Sequence, residues 1–336
     1  MKFVQHRWIY LALPLLAADC GGWQSALDPH GPDAWNVRDL IGLFAIVASI
    51  VWSMVMLSLA GALSRRRPAS QRPLATTPSG ERRAGIAVSA ATVATVLTIG
   101  GLTLASYLAT RVSSSVRQDP LVIRVRAYQW WWEISYVDEA HARNLTTANE
   151  IHVPVGRPVS VELAAADVIH SFWVPNLAGK QDLIPGRDNR IAFTAASTGL
   201  YRGQCAEFCG LQHAHMSLFV VADPPDQFEA WRNAQLGRAA DPATDEQRIG
   251  RQIVVGKACA SCHTVRGTSA AGVLGPDLTH VASRSYIAAG LLPTTRGSIA
   301  AWVADPQTVK PGNNMPMVPL TGDELRAVSA YLTSLK

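Results

Sequence analysis

The sequence predicts a multi-domain membrane protein: a two-helix transmembrane hairpin, then an all-β sandwich, then an all-α domain. Three observations predict it. Two long runs, Leu40 to Ser64 and Ala84 to Thr110, carry no charged residue. Short β-branched runs punctuated by Gly, Pro and Asn fill residues 121–221. Helical patterns return near the C-terminus, at Glu246 to Gly256 and Asp323 to Leu335.

Each uncharged run exceeds the roughly 20 residues that a helix needs to cross the hydrocarbon core. Both are rich in Ala, Val, Leu and Ile, whose small members suit helix–helix contact. The hairpin therefore spans 37–110, with helices at about 40–64 and 84–110. The loop between them carries Arg65, Arg66, Arg67, Arg72, Arg82 and Arg83 against one acid, Glu81. Such loops stay in the cytoplasm. Everything from about Arg111 onward then lies outside, on the periplasmic side of a bacterial cytoplasmic membrane. The net charge is +5 although only 16 % of the 336 residues are charged. Because the arginines cluster in one loop, that charge marks membrane orientation and excludes a nucleic-acid partner.

Ahead of the hairpin, Lys2, His6 and Arg7 precede the apolar run Trp8 to Ala18. Residues 1–20 thus read as a secretory leader, too short to span a bilayer. Cys20 follows at its end. A lipidated cysteine, ordinary cleavage and an uncleaved leader all fit, although Asp19 departs from the small residue that a lipoprotein signal wants.

The segments Leu121–Val125, Ile151–Val153 and Val159–Leu163 are strand-like, so 117–222 reads as a sandwich of short strands. At 223–244 the composition shifts to Pro, Ala, Asp and Gln, a linker with a helical stretch at Gln227 to Leu236. Residues 245–336 form the all-α domain, where Thr321 and Glu324 have the spacing of a capping box.

The densest chemistry is Cys205-Ala206-Glu207-Phe208-Cys209, continuing to His213 and Met216. Soft sulfur ligands with imidazole suit copper or zinc. The Cys spacing is wider than that of a zinc knuckle, and Met is not a zinc ligand. A lone blue-copper centre would use one Cys. Two cysteines four apart can bridge two copper ions, each of which then needs one histidine and one weak axial ligand. His170, in Asp167-Val168-Ile169-His170, is the candidate for the second imidazole. A zinc site, a Cys205–Cys209 disulfide and a copper-chaperone pairing are the alternatives, and His215 is a rival ligand beside Met216.

This constellation resembles the binuclear copper (CuA) domain of cytochrome c oxidase subunit II, a cupredoxin-like sandwich. The resemblance implies that Cys205 and Cys209 bridge two coppers and that His170 and His213 cap them. Met216 and the backbone carbonyl of Glu207 would be the axial ligands. The Glu207 side chain would reach a magnesium ion at the interface with subunit I. In Tyr128-Gln129-Trp130-Trp131-Trp132, Trp130 matches the family's point of electron input. The plainer reading of that cluster is sandwich core or a membrane-interface belt.

Cys259-Ala260-Ser261-Cys262-His263 is the C-x-x-C-H of covalent c-type haem attachment, with zinc or thiol redox chemistry as the alternative. On the first reading Cys259 and Cys262 hold the haem and His263 is the proximal ligand. Gly275-Pro276-Asp277-Leu278 resembles a segment of class I cytochromes c. Lys310-Pro311-Gly312-Asn313-Asn314-Met315-Pro316 matches their methionine loop, which implies Met315 as sixth ligand with Met317 as a rival. Trp302 packs on the haem or in plain core.

Hairpin, copper domain and haem domain in this order resemble oxidase subunits II that carry a cytochrome c tail. The resemblance implies an electron-input subunit of cytochrome c oxidase. Electrons would come from cytochrome c or a quinol:cytochrome c reductase. They would pass through haem c to CuA and on to the haem of subunit I, which reduces oxygen and pumps protons. Implied partners are subunits I and III and membrane lipid. The transmembrane runs contain no histidine, so the chain offers no oxygen site of its own. Glu81 is followed by Arg82-Arg83-Ala84-Gly85 and lacks the family's Trp-Thr, which departs from a proton-channel glutamate. A nitric oxide reductase with a copper-domain subunit and a stand-alone tethered carrier would use the same module and stay open as alternatives.

Overall fold

The computed structural model describes residues 21–65, 77–113, 119–137 and 144–336. The leader 1–20 with Cys20, and the loop residues Arg66, Arg67 and Arg72, lie outside them. The chain forms two units. One holds residues 36–115, and the other joins the residues up to Trp35 to those from Val116 onward.

The first unit is built from helices α1 (Pro32–Ser64) and α2 (Pro78–Ser113), 33 and 36 residues long. At 1.5 Å per residue each reaches about 50 Å, more than the ~30 Å of a hydrocarbon core. Both run past the uncharged stretches, because helical backbone continues through Asp33, Arg38 and Asp39 in α1 and through Arg82, Arg83 and Arg111 in α2. Their apolar side chains face outward, as with Leu57 at 73 % and Leu97 at 70 % exposure. A helix apolar all round must be covered, and lipid can cover it; both helices are long and apolar enough to cross a membrane. The hydroxyls of Thr92 and Thr95 donate back to the carbonyls of Val88 and Ala91, each at 2.9 Å, so neither needs water.

In the second unit, strands β1 (Leu121–Tyr128), β2 (Trp131–Tyr136), β3 (Leu145–Ala148), β5 (Val159–Ala165) and β8 (Asn189–Phe193) form a sheet in the order β3-β2-β1-β5-β8. Strands β4 (Glu150–Pro154), β6 (His170–Trp173), β7 (Lys180–Leu183), β9 (Gly199–Cys205) and β10 (Ser217–Asp223) form another, β4-β10-β9-β6-β7. Alternation decides which faces meet. On β1, Leu121, Ile123, Val125 and Ala127 are buried while Arg124 and Arg126 are exposed. Trp132, Ile134, Leu163, Phe172 and Phe193 fill the core. The residues just before α1 belong to this domain. The Asn176 amide donates to the carbonyls of Gly22, Ser25 and Asp28, and Trp23 packs 6.0 Å from Phe219.

The stretch read as a linker, 223–244, is helix in its first half. Helix α3 (Pro225–Gln235) packs into the sandwich: Phe228 is part of the core, and Trp231 stacks on His152 at 4.1 Å. Phe228 and Trp231 are three apart and so share one helix face.

The C-terminal domain contains α4 (Asp245–Gly256), α5 (Cys259–Cys262), α6 (Arg296–Ala304), α7 (Pro306–Val309) and α8 (Gly322–Ser334). Thr244 and Thr295 cap α4 and α6, and Thr321 with Glu324 closes a capping box on α8. Val254, Val265, Ile299, Val328, Tyr331 and Leu332 form a separate core, with Trp302 packed against it. A short hairpin unforeseen in the sequence, β11 (Tyr286–Ile287) and β12 (Leu292–Pro293), leans on the sandwich. Its Tyr286 stacks on Phe219 at 4.4 Å, and Ala289 accepts from the Ser217 N–H at 2.9 Å.

Candidate metal centres

Strand ends assemble the first site. β6 begins at His170 and β9 ends at Cys205, and the two strands are paired, with Phe172 opposite Cys205. The Ala206 N–H donates to Ser171 at 3.0 Å and the Cys205 N–H to Met216 at 2.9 Å. These backbone bonds hold His170, Cys205 and Met216 at one end of the sheet, and the 206–216 loop closes over them.

The two thiols lie 3.7 Å apart, and the described cysteines are all free. Cys205 Sγ has His170 Nδ1 at 3.8 Å and the Glu207 carbonyl at 3.1 Å. Cys209 Sγ has His213 Nδ1 at 3.7 Å and Met216 Sδ at 3.8 Å. The ligand atoms of His170, Cys205 and Cys209 all lie within 4.8 Å of one another. Each sulfur therefore has one imidazole and one weak donor of its own. That donor set fits two coppers sharing two sulfurs; a four-coordinate zinc would leave Met216 and the Glu207 carbonyl idle. The thiols act as a pair. The hydrogen bond with Cys209 draws Cys205 well below its usual range, and the same contact drives Cys209 up.

His215 is exposed and turned to the side-chain oxygen of Gln212 at 2.9 Å. The half-exposed Glu207 carboxylate lies 3.8 Å from the Lys180 ammonium. Trp130 is 8 % exposed. Its Nε1 donates to the Cys209 carbonyl at 3.0 Å, and Gln129 Nε2 donates to the same oxygen at 2.8 Å.

In the second site α5 carries the half-buried Cys259 and Cys262 just ahead of His263. His263 Nδ1 donates to the Pro276 carbonyl at 2.7 Å, which leaves Nε2 as the bare lone pair. Burial lowers the pKa of this imidazole, with the Pro276 bond opposing, which favours the neutral form that a metal ligand takes. The segment 272–275 is tied to Cys262 and His263 by its Gly272 and Gly275 N–H groups. Between those anchors Val273 and Leu274 stand 78 % and 76 % exposed, an open apolar edge beside the two thiols. A Cβ on Gly275 would come 2.6 Å from the imidazole. These residues fit a covalently held haem. Met315 is half-buried, its N–H donating to Asn313 Oδ1 and its carbonyl accepting from Gln307 Nε2, whereas Met317 is 62 % exposed.

Two residues escaped the sequence reading. Asp167 accepts from His170 Nε2 at 2.8 Å and from the Gln129 N–H at 2.6 Å. Its position three residues before His170 was the available signal. Lys310 is buried between the domains, and burial draws its amine down to about 7. Nothing in its sequence neighbourhood marks that burial.

Comparisons with known proteins agree with this layout. Residues 121–223 match the family of the cytochrome c oxidase subunit II periplasmic domain, and residues 247–336 match the cytochrome c family. A cytochrome c oxidase subunit 2 of Alkalihalophilus pseudofirmus is 33 % identical over 337 aligned positions, 96 % of this chain and 95 % of that one. A subunit 2 from Bacillus sp. (strain PS3) is 35 % identical, covering 65 % of this chain and 63 % of its own. Among solved structures, the periplasmic domain of subunit II of the Bradyrhizobium japonicum cytochrome oxidase is 32 % identical, with a TM-score of 0.34, covering 36 % of this chain and 96 % of that one. An end-to-end relative at this identity, together with both domain matches in the same order, means that the chain belongs to the cytochrome c oxidase subunit II family, in a form that carries its own cytochrome c domain.

Proposed function

We propose that this chain is the electron-input subunit of a haem–copper oxidase, taking electrons at a covalent haem c and delivering them through a binuclear copper site to the haem of subunit I. In this reading Cys205, Cys209, His170, His213, Met216 and the Glu207 carbonyl would together hold two copper ions, the two thiolates shared between them. Cys259 and Cys262 would attach the haem, and His263 and Met315 would be the ligands to its iron. When bound, these groups supply one-electron redox chemistry and nothing else.

The chain's own residues do the remaining work. Asp167 holds the His170 ring so that Nδ1 faces Cys205. Pro276 does the same for His263. The backbone bonds at Cys205 and Ala206 fix the ligand loop, so little has to move when the charge changes. Trp130 links the Cys209 carbonyl to the C-terminal domain. Oxygen reduction and proton pumping belong to subunit I in this reading, and the donor is a cytochrome c or a quinol:cytochrome c reductase. The hairpin anchors the chain, with both large domains on the periplasmic side.

The observation that carries the reading is the matched pair of environments at the two thiols, one imidazole and one weak donor each. It is tested by electron paramagnetic resonance of the detergent-solubilised chain loaded with copper. One unpaired electron shared equally by two coppers is expected. A mononuclear signal would overturn the reading.

A further inference from the structure

The C-terminal domain reaches into the sandwich through one side chain. Lys310 leaves the loop that ends at Met315 and is 2 % exposed. Its Nζ donates to the carbonyls of Trp130 at 2.8 Å, His215 at 2.7 Å and Ala288 at 3.2 Å. An ammonium has three N–H donors and no acceptor, so three carbonyls satisfy it in full. A charge is kept out of water only when it is paired or hydrogen-bonded in this way. His215 lies in the 206–216 loop, Trp130 donates to the Cys209 carbonyl of that loop, and Ala288 belongs to the turn of the β11–β12 hairpin. One side chain thus pins three segments at a point.

The loop beyond it lies on the indole. The Pro311 carbonyl accepts from Gln212 Nε2 at 2.8 Å. Gly312 has φ +83°, and a Cβ there would sit 3.6 Å from the Trp130 ring and 3.3 Å from Leu211. Trp130 in turn donates to Cys209. The chain of contacts from the methionine loop to a copper-loop carbonyl is therefore short, and Lys310 stands at its start.

We propose that Lys310 is a positioning residue for electron transfer between the two sites: it pins the methionine loop onto Trp130 and sets the gap that the electron crosses. The proposal rests on the function proposed above. The step moves one electron from the haem iron to the copper pair, with no bond made or broken and no proton passed by Lys310.

The test is Lys310→Met in the full chain carrying both cofactors. Haem c is reduced by a light pulse and the copper band is followed. A transfer rate slower than in the unaltered chain is expected, since the gap is the quantity disturbed. Haem and copper spectra should be unchanged, and hydrogen exchange over residues 308–316 should be faster. An unchanged rate overturns the proposal, whatever happens to thermal stability or exchange. A slower rate without faster exchange also overturns it, because the loop would not have moved. If Lys310→Met fails to fold, Lys310→Gln, which keeps a donor on a shorter stem, is measured in the same way. A missing copper or haem spectrum in the unaltered chain would defeat the reading of the sites instead; exchange over 308–316 would still report whether Lys310 holds the loop.

Discussion

The carboxylate of Asp167 ties His170 to the backbone of Gln129: one oxygen accepts from the imidazole Nε2 at 2.8 Å and the other from the amide at 2.6 Å. One side chain therefore orients a ligand ring and also places the residue before Trp130. The copper loop and the aromatic segment that covers it are held in register by this link.

Asp167→Asn should weaken copper binding. Partners behind a ligand typically account for a loss of about 10- to 100-fold in metal affinity when removed. Competition against a copper chelator of known affinity measures it. Affinity equal to that of the unaltered chain would mean that Asp167 only shapes the backbone.

Cys209→Ser should end the sharing of one electron by two metals. Met216 Sδ and His213 Nδ1 face Cys209, whereas Cys205 keeps its own imidazole and carbonyl. A mononuclear signal or loss of copper is expected in the resonance spectrum. Survival of the two-copper signal would contradict the bridging role.

Met315→Leu should lower the reduction potential of the haem, since a thioether ligand raises it. Met317→Leu should leave it unchanged, because that side chain is 62 % exposed. A spectroscopic redox titration of both variants separates the two methionines; the reverse result would exchange their roles.

His152 makes stability depend on pH. Burial disfavours its charge, but the hydrogen bonds to Asp223 at 2.7 Å and to Glu150 at 3.3 Å outweigh it, and its pKa ends above the ordinary 6.5. A group raised on folding stabilises fully below its unfolded value and loses that contribution as pH rises through the folded one. The thermal midpoint should therefore decline as pH climbs from about 6.5 through the raised value of His152. His152→Gln should flatten that slope.

Phe228→Ala should destabilise the sandwich by about 3–5 kcal/mol, the usual range for emptying an aromatic site in a core. Phe228 is 1 % exposed and lies against Trp231. Denaturant unfolding followed at the copper band would measure it. A loss near zero would mean that α3 is the passive connection its composition suggested.

Much of this chain was legible because its signals are local. Cys205, Cys209, His213 and Met216 fall on one loop, so their spacing carries their meaning. The same holds for Cys259, Cys262 and His263, for the capping box at Thr321, and for uncharged runs long enough to cross a bilayer. His170 is a different case: it lies 35 residues from Cys205, and it was reached only through the need for a second imidazole and a family resemblance.

What composition and spacing alone indicated was the order of the domains, the two apolar helices and which residues gather at each candidate site, because each depends on side chains close together in the chain. Tertiary structure decided how the sites are braced and joined. Lys310 meets Trp130 across 180 residues, and Ser285 meets Glu150 across 135. In the first pair a backbone carbonyl is the acceptor and in the second a backbone N–H is the donor. Every residue has a carbonyl and nearly every residue an N–H, so no sequence pattern marks the ones that will be used. Only the packing of the β11–β12 hairpin on the sandwich selects them.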